Sequence, residues 1–136
     1  MTVIDEAGVA LERGDWRRAL EILGDDCSDD ALQLRAAACY GAGDLEACVT
    51  AWEDLHRNRR GSGDLSGAAW AAGMVALHLM LDTGLMSPVR GWIRRAGTLL
   101  VGLPNDRAQA IVAMVSTYER FMSGDPEESR VQAKLA

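Results

Sequence analysis

The stretch Leu65–Leu81, LSGAAWAAGMVALHLML, decides the fold. Only Ser66, Gly67, Gly73 and His78 interrupt its apolar residues, and Asp64 and Asp82 bracket it. A helix that is apolar on nearly every side must be covered on nearly every side. The less apolar segments before and after it are therefore expected to wrap it, as the central helix of an all-helical domain. A membrane span needs about 20 predominantly apolar residues. This run is shorter, its five alanines and two glycines present little hydrophobic area, and no aromatic belt or basic flank marks an interface. The reading is a buried helix with no membrane partner.

Length and composition agree. A chain of 136 residues can bury about two thirds of the surface that its unfolded form exposes, and one domain spanning 1–136 is expected. Cys27, Cys39 and Cys48 cannot all pair within one chain and form no CxxC, so neither a disulfide framework nor a zinc site is indicated. The beginning, MTVIDEAGVALERGDW, has acids where a secretory signal carries bases. A cytoplasmic location follows from the two together.

Apolar spacing predicts helices over residues 3–13, 16–23, 31–42, 45–58, 65–83, 86–101 and 107–122, with a last segment starting at Pro126. Nothing alternates with period two, so no strand is expected. Glycines that would close the first helix of a pair fall at 14, 43, 84 and 124. Helix pairs at such a spacing are the mark of an α-solenoid, here of about four antiparallel pairs with the last incomplete. Ala19, Cys48 and Ser129 follow their glycines by five residues, where a small side chain allows close approach, and Val89 is larger. Leu23, Trp52 and Ile93 follow by nine, where they can reach across the hairpin.

These residues carry a resemblance. Gly14-Asp15-Trp16 with Ala19, and Gly43-Asp44-Leu45 with Trp52, resemble tetratricopeptide (TPR) repeats. LERGDW, YGAGDLEACVTAWEDLHR, GDLSGAAWAAGMVALHL, GWIRRAGTLL and SGDPEES, in that order, are similar to the helical region of actinobacterial LuxR-type transcriptional regulators over nearly the whole chain. The resemblance implies a non-enzymatic interaction or sensing scaffold, which in that family normally precedes a DNA-binding helix-turn-helix. This sequence contains no helix-turn-helix and stops where a fourth hairpin has barely begun, so DNA binding is not carried over.

In the repeat register Asp30, Gln33, Ala37 and Tyr40 on one helix, and Met74, His78 and Asp82 on another, face the groove where a protein or peptide partner would lie. The partner includes a second copy of the chain. The alternative is a small-molecule sensor using the same groove or a pocket between helices. Val131 and Leu135, apolar on a terminal segment, and the cluster Arg90, Arg94 and Arg95 are the candidate assembly surface.

Residues 1–56 hold 13 acids and 4 bases, net −9, and residues 57–136 hold 7 acids and 10 bases, net +3. Such opposed halves suit association of copies better than phosphate backbones, which call for a basic protein. The second basic cluster, Arg57, Arg59 and Arg60, sits at a helix end where it favours the macrodipole. No GxSxG, HExxH, phosphate loop or calcium loop is present. No catalytic residue, metal or cofactor is therefore assigned; His56 lies in the charged end of its helix, and His78, within the apolar helix, is expected to be satisfied in the core or to face water from the groove.

Overall fold

The computed structural model describes residues 1–104 and 106–122. Their regular structure is entirely helical, as expected. The seven α-helices are α1 (Val3–Glu12), α2 (Trp16–Leu23), α3 (Asp29–Gly41), α4 (Leu45–Ser62), α5 (Leu65–His78), α6 (Met86–Leu100) and α7 (Arg107–Met122), and a π-helical turn, Leu79–Thr83, extends α5. The segment expected from Pro126 lies outside the described residues. The helices group into two compact units, Met1–Leu55 and the residues from His56 onward, with α4 beginning in the first and ending in the second.

One device closes three of these helices. At Gly14, Gly43 and Gly63 the backbone takes φ of 74°, 82° and 83°, a region that only glycine enters without strain. The glycine N–H then donates three residues back, to Leu11, Tyr40 and Arg60, and the next N–H, from Asp15, Asp44 or Asp64, reaches Ala10, Cys39 or Arg59. This is a Schellman closure. Each of those aspartates at once caps the following helix: its Oδ1 accepts from Arg18 N at 3.2 Å, Ala47 N at 3.1 Å or Gly67 N at 3.0 Å. Two residues therefore end one helix and start the next.

The device also recurs where the sequence register has no glycine. The third copy is Gly63-Asp64, inside RNRRGSGD, which reads as a polar connection but is helical through Ser62. Gly84 does something else. It ends the π-helical turn with φ 70°, donating to Leu79 O at 3.0 Å, and Leu85 follows with no side-chain cap. Thr83 supplies the closure there, its hydroxyl donating to Leu79 O and accepting from Leu85 N. Gly124 lies outside the described residues.

Within the first unit α1 packs on α2 and α3, and α2 packs on α3. A capping box starts α1, Thr2 and Asp5 each receiving the other's backbone N–H at 3.1 Å. Ala19, five residues after Gly14, is fully buried with Ala10 and Ala38, and Leu23 is buried with Ala7 and Ala31. These are the close approach and the reach across the hairpin that the spacing predicts. Trp16 lies flat against the end of α3, so near that a Cβ on Gly41 would stand 2.6 Å from its ring.

In the second unit α5 packs on both α6 and α7, which also pack on each other. Ala68, Ala69, Ala71, Ala72 and Ala76 are all fully buried. Ala69 and Ala72 meet Ala96, Leu100 and Ala108, while Ala76 and Met80 meet Val89, Ile111 and Val115. Alanine here shortens the distance between helices. Gly73 shortens it further, since a Cβ there would fall 2.8 Å from Ile111 Cγ2. Leu65–Thr83 is long and apolar enough by length and composition to cross a membrane, but its sealed alanines follow the pattern of a core helix.

Candidate functional site

The first set of groove residues shares one face of α3 by its spacing. Asp30, Ala37 and Tyr40 are exposed and Gln33 is half-buried, so the face is open to solvent within its unit. Away from that face, Leu32 and Arg35 of α3 and Asp44, Glu46, Ala47, Thr50, Ala51 and Asp54 line an open cleft of about 410 Å³. Arg35 spends two guanidinium bonds on the loop before α3, donating to Gly24 O and Asp26 O at 2.8 Å. It pins that loop.

The second set lies at the end of α5. Met74 is half-buried and packs against the cluster around Val115. His78 is half-buried, and its Nδ1 stands 3.3 Å from Asp82 Oδ2 in the π-helical turn. Insertions of this kind interrupt a regular helix and often accompany functional sites.

The arginine cluster is not a uniform surface. Arg90 reaches from α6 to Glu119 of α7 in a charge-assisted hydrogen bond, and Glu119 is 9 % exposed. Arg94 is exposed. Arg95 lays its guanidinium 4.5 Å from the Trp92 ring centroid, a cation–π contact. Arg90 thus ties α6 to α7 while half of its side chain stays in solvent. The cluster of Arg57, Arg59 and Arg60 is divided as well. Arg57 and Arg60 are exposed, whereas Arg59 folds over the α4–α5 turn, donating to Gly67 O at 3.3 Å and lying 3.9 Å from Asp64 Oδ2. Val131 and Leu135 lie outside the described residues.

Two features escape the sequence reading. His56, in the charged end of its helix by sequence, is 7 % exposed. Its Nδ1 donates to Ala68 O at 2.9 Å and its ring meets Trp92 edge-on, with centroids 5.4 Å apart at 84°. The second is on α7, whose buried face is Ala108, Ile111, Val115 and Glu119. Another face shows Met114, Tyr118, Phe121 and Met122, with Phe121 61 % and Met122 63 % exposed. Residues i, i+4, i+7 and i+8 make a continuous apolar stripe. Two apolar stripes on one helix are the signal that could have revealed it.

Cys27, Cys39 and Cys48 form no disulfide among the described residues. Cys39 and Cys48 are buried, and burial with the nearby Asp44 charge raises the Cys39 thiol above its ordinary value, which disfavours the reactive thiolate. Among the described residues no group of His, Cys, Asp or Glu is placed to hold a metal ion. No family model, curated protein or solved structure matches the chain.

Proposed function

We propose that this chain is a non-enzymatic, TPR-like protein-interaction and sensing module, related to the regulatory region of a LuxR-type transcriptional regulator. The solenoid reading is supported by the helix order within each unit. In the first, α1 packs on the next helix and the next but one; in the second, α5 does the same. Helix pairs stacked on their successors pack in that way.

The observation that carries the interaction reading is the α7 stripe of Met114, Tyr118, Phe121 and Met122. Exposed apolar side chains in a continuous row are the kind of surface that partner proteins cover, and aromatic and methionine side chains are enriched where they do. A second copy of the chain is the partner proposed, consistent with a formal net charge of −9 on residues 1–56 and +3 on residues 57–136.

Sedimentation velocity over a concentration series tests it. The full chain should move toward a dimer as concentration rises, and the variant Tyr118→Glu with Phe121→Glu should remain a monomer with unchanged helical circular dichroism. A chain that stays monomeric throughout would refute self-association. The regulator relationship is tested separately by immunoblot of the source cell, where the endogenous polypeptide should run well above 14.6 kDa.

A further inference from the structure

The crevice in the second unit carries a different inference. A cavity of about 150 Å³ is lined by His56 and Arg60 of α4 and by Arg95, Thr98 and Leu99 of α6. His56 and Arg60 are four residues apart, as are Arg95 and Leu99, so each helix presents one face to it. With a water's share of liquid volume at about 30 Å³, the cavity has room for a small polyatomic ion. It has none for a large ligand.

Its chemistry is one-sided. Among the residues lining it none is acidic. The two arginines have no ion pair among the described residues, and Arg95 is held by its face against Trp92, which leaves its N–H edge available. Trp92 in turn meets His56 edge-on, so the cation, indole and imidazole are in contact in one row. The Ala68 carbonyl can only accept, so it fixes a proton on His56 Nδ1 and leaves Nε2 as the other ring atom with polar capacity. Thr98 gives its hydroxyl proton to Arg94 O at 3.0 Å and offers only lone pairs. The C-terminal carbonyls of α4 nearest the crevice, those of Arg59 and Arg60, are already taken by the N–H groups of Asp64 and Gly63. The negative end of that helix is thus muffled.

We propose that this crevice binds inorganic phosphate, with Arg60 and Arg95 as the charged donors and His56 Nε2 as the third contact, accepting from the P–OH that the dianion retains. Two guanidinium charges without an acid match a dianion better than a monoanionic carboxylate, and phosphate carries between one and a half and about two charges near neutrality. Arginine edges match its oxygens in paired hydrogen bonds. This inference does not rest on the α7 stripe.

The test is a titration of the full chain with inorganic phosphate, followed by the Trp92 indole N–H resonance, which Trp92→Phe identifies. A saturable shift is expected, absent with chloride at equal ionic strength and weaker with acetate. Arg60→Gln and Arg95→Gln, both at exposed positions, should each weaken binding about tenfold, the usual effect of removing one charge-assisted hydrogen bond. Arg94→Gln, outside the lining, should change nothing. His56→Asn keeps an N–H for Ala68 O but lacks Nε2, and should weaken binding while leaving the melting temperature near that of the parent. No saturable shift, equal binding of acetate, or binding untouched by both arginine variants would overturn the proposal. Sedimentation of the crevice variants should match the parent, so failure here is distinct from failure of the interaction reading.

Discussion

Arg90 and Arg94 show how little a residue's type says about its work. Both are arginines on α6, one turn apart, and the sequence offers no way to rank them. Both are exposed, but Arg90 bonds to a carboxylate on the buried face of α7. Removing Arg90 leaves Glu119 with less compensation for its burial, a cost of roughly 1–3 kcal/mol for a group that loses a partner. Half of the Arg90 side chain is in solvent, so screening places the expected loss toward the lower end of that range. Arg90→Ala should therefore lower the urea midpoint with an unchanged slope. Arg94→Ala should stay within about 0.5 kcal/mol of the parent, as surface substitutions usually do. Equal effects of the two would contradict the assigned pair.

At the scale of the element, α5 makes the sharpest prediction. Glycine inside a helix costs about 1 kcal/mol relative to alanine, so Gly73→Ala would stabilise an exposed helix. Here the new methyl meets Ile111, itself 7 % exposed on α7 and with little freedom to move aside. Overpacking of that kind costs about 1–3 kcal/mol, which exceeds the gain. Gly73→Ala should lower the melting temperature, and Gly73→Ala with Ile111→Val should recover part of the loss.

The same elements show what the sequence made legible. Seven helices could be read from apolar spacing because each has an inner stripe and a glycine or proline near its ends, and the bounds of α2 and α7 are as expected. The extra turn of α4 was hidden because arginine, polar as it is, is a good helix former. The π-helical turn was hidden too, since periodicity cannot register one inserted residue at the end of an apolar run. The burial of His56 was hidden because its partners, Ala68 and Trp92, come from two other helices and no local pattern links them. Residues of the candidate groove could be assigned to helix faces, but their neighbours depend on packing that spacing does not contain.

At the scale of the whole molecule, acid should act through a few hydrogen-bonded carboxylates. Backbone and side-chain bonds from Thr2 hold Asp5 below the ordinary value of 3.8, those from Ser28 do the same for Asp26, and the Ser66 hydroxyl does so for Asp106. A carboxylate with a lowered folded value contributes stability that is present above 3.8 and lost as pH falls through the folded value. Ser66→Ala should thus lower the melting temperature at neutral pH, with the gap constant down to mildly acidic conditions and closing below 3.8. A gap that persists undiminished in strong acid would assign the effect to something other than the Asp106 carboxylate.

The four tryptophans are divided between the units: Trp16 and Trp52 precede residue 55, while Trp70 and Trp92 follow it. Each unit thereby owns a pair of intrinsic fluorophores. Replacing Trp70 and Trp92 by phenylalanine leaves emission from the first unit alone, and replacing Trp16 and Trp52 leaves emission from the second. The order in which the two units come apart can then be read as two separate optical signals, without attaching a label.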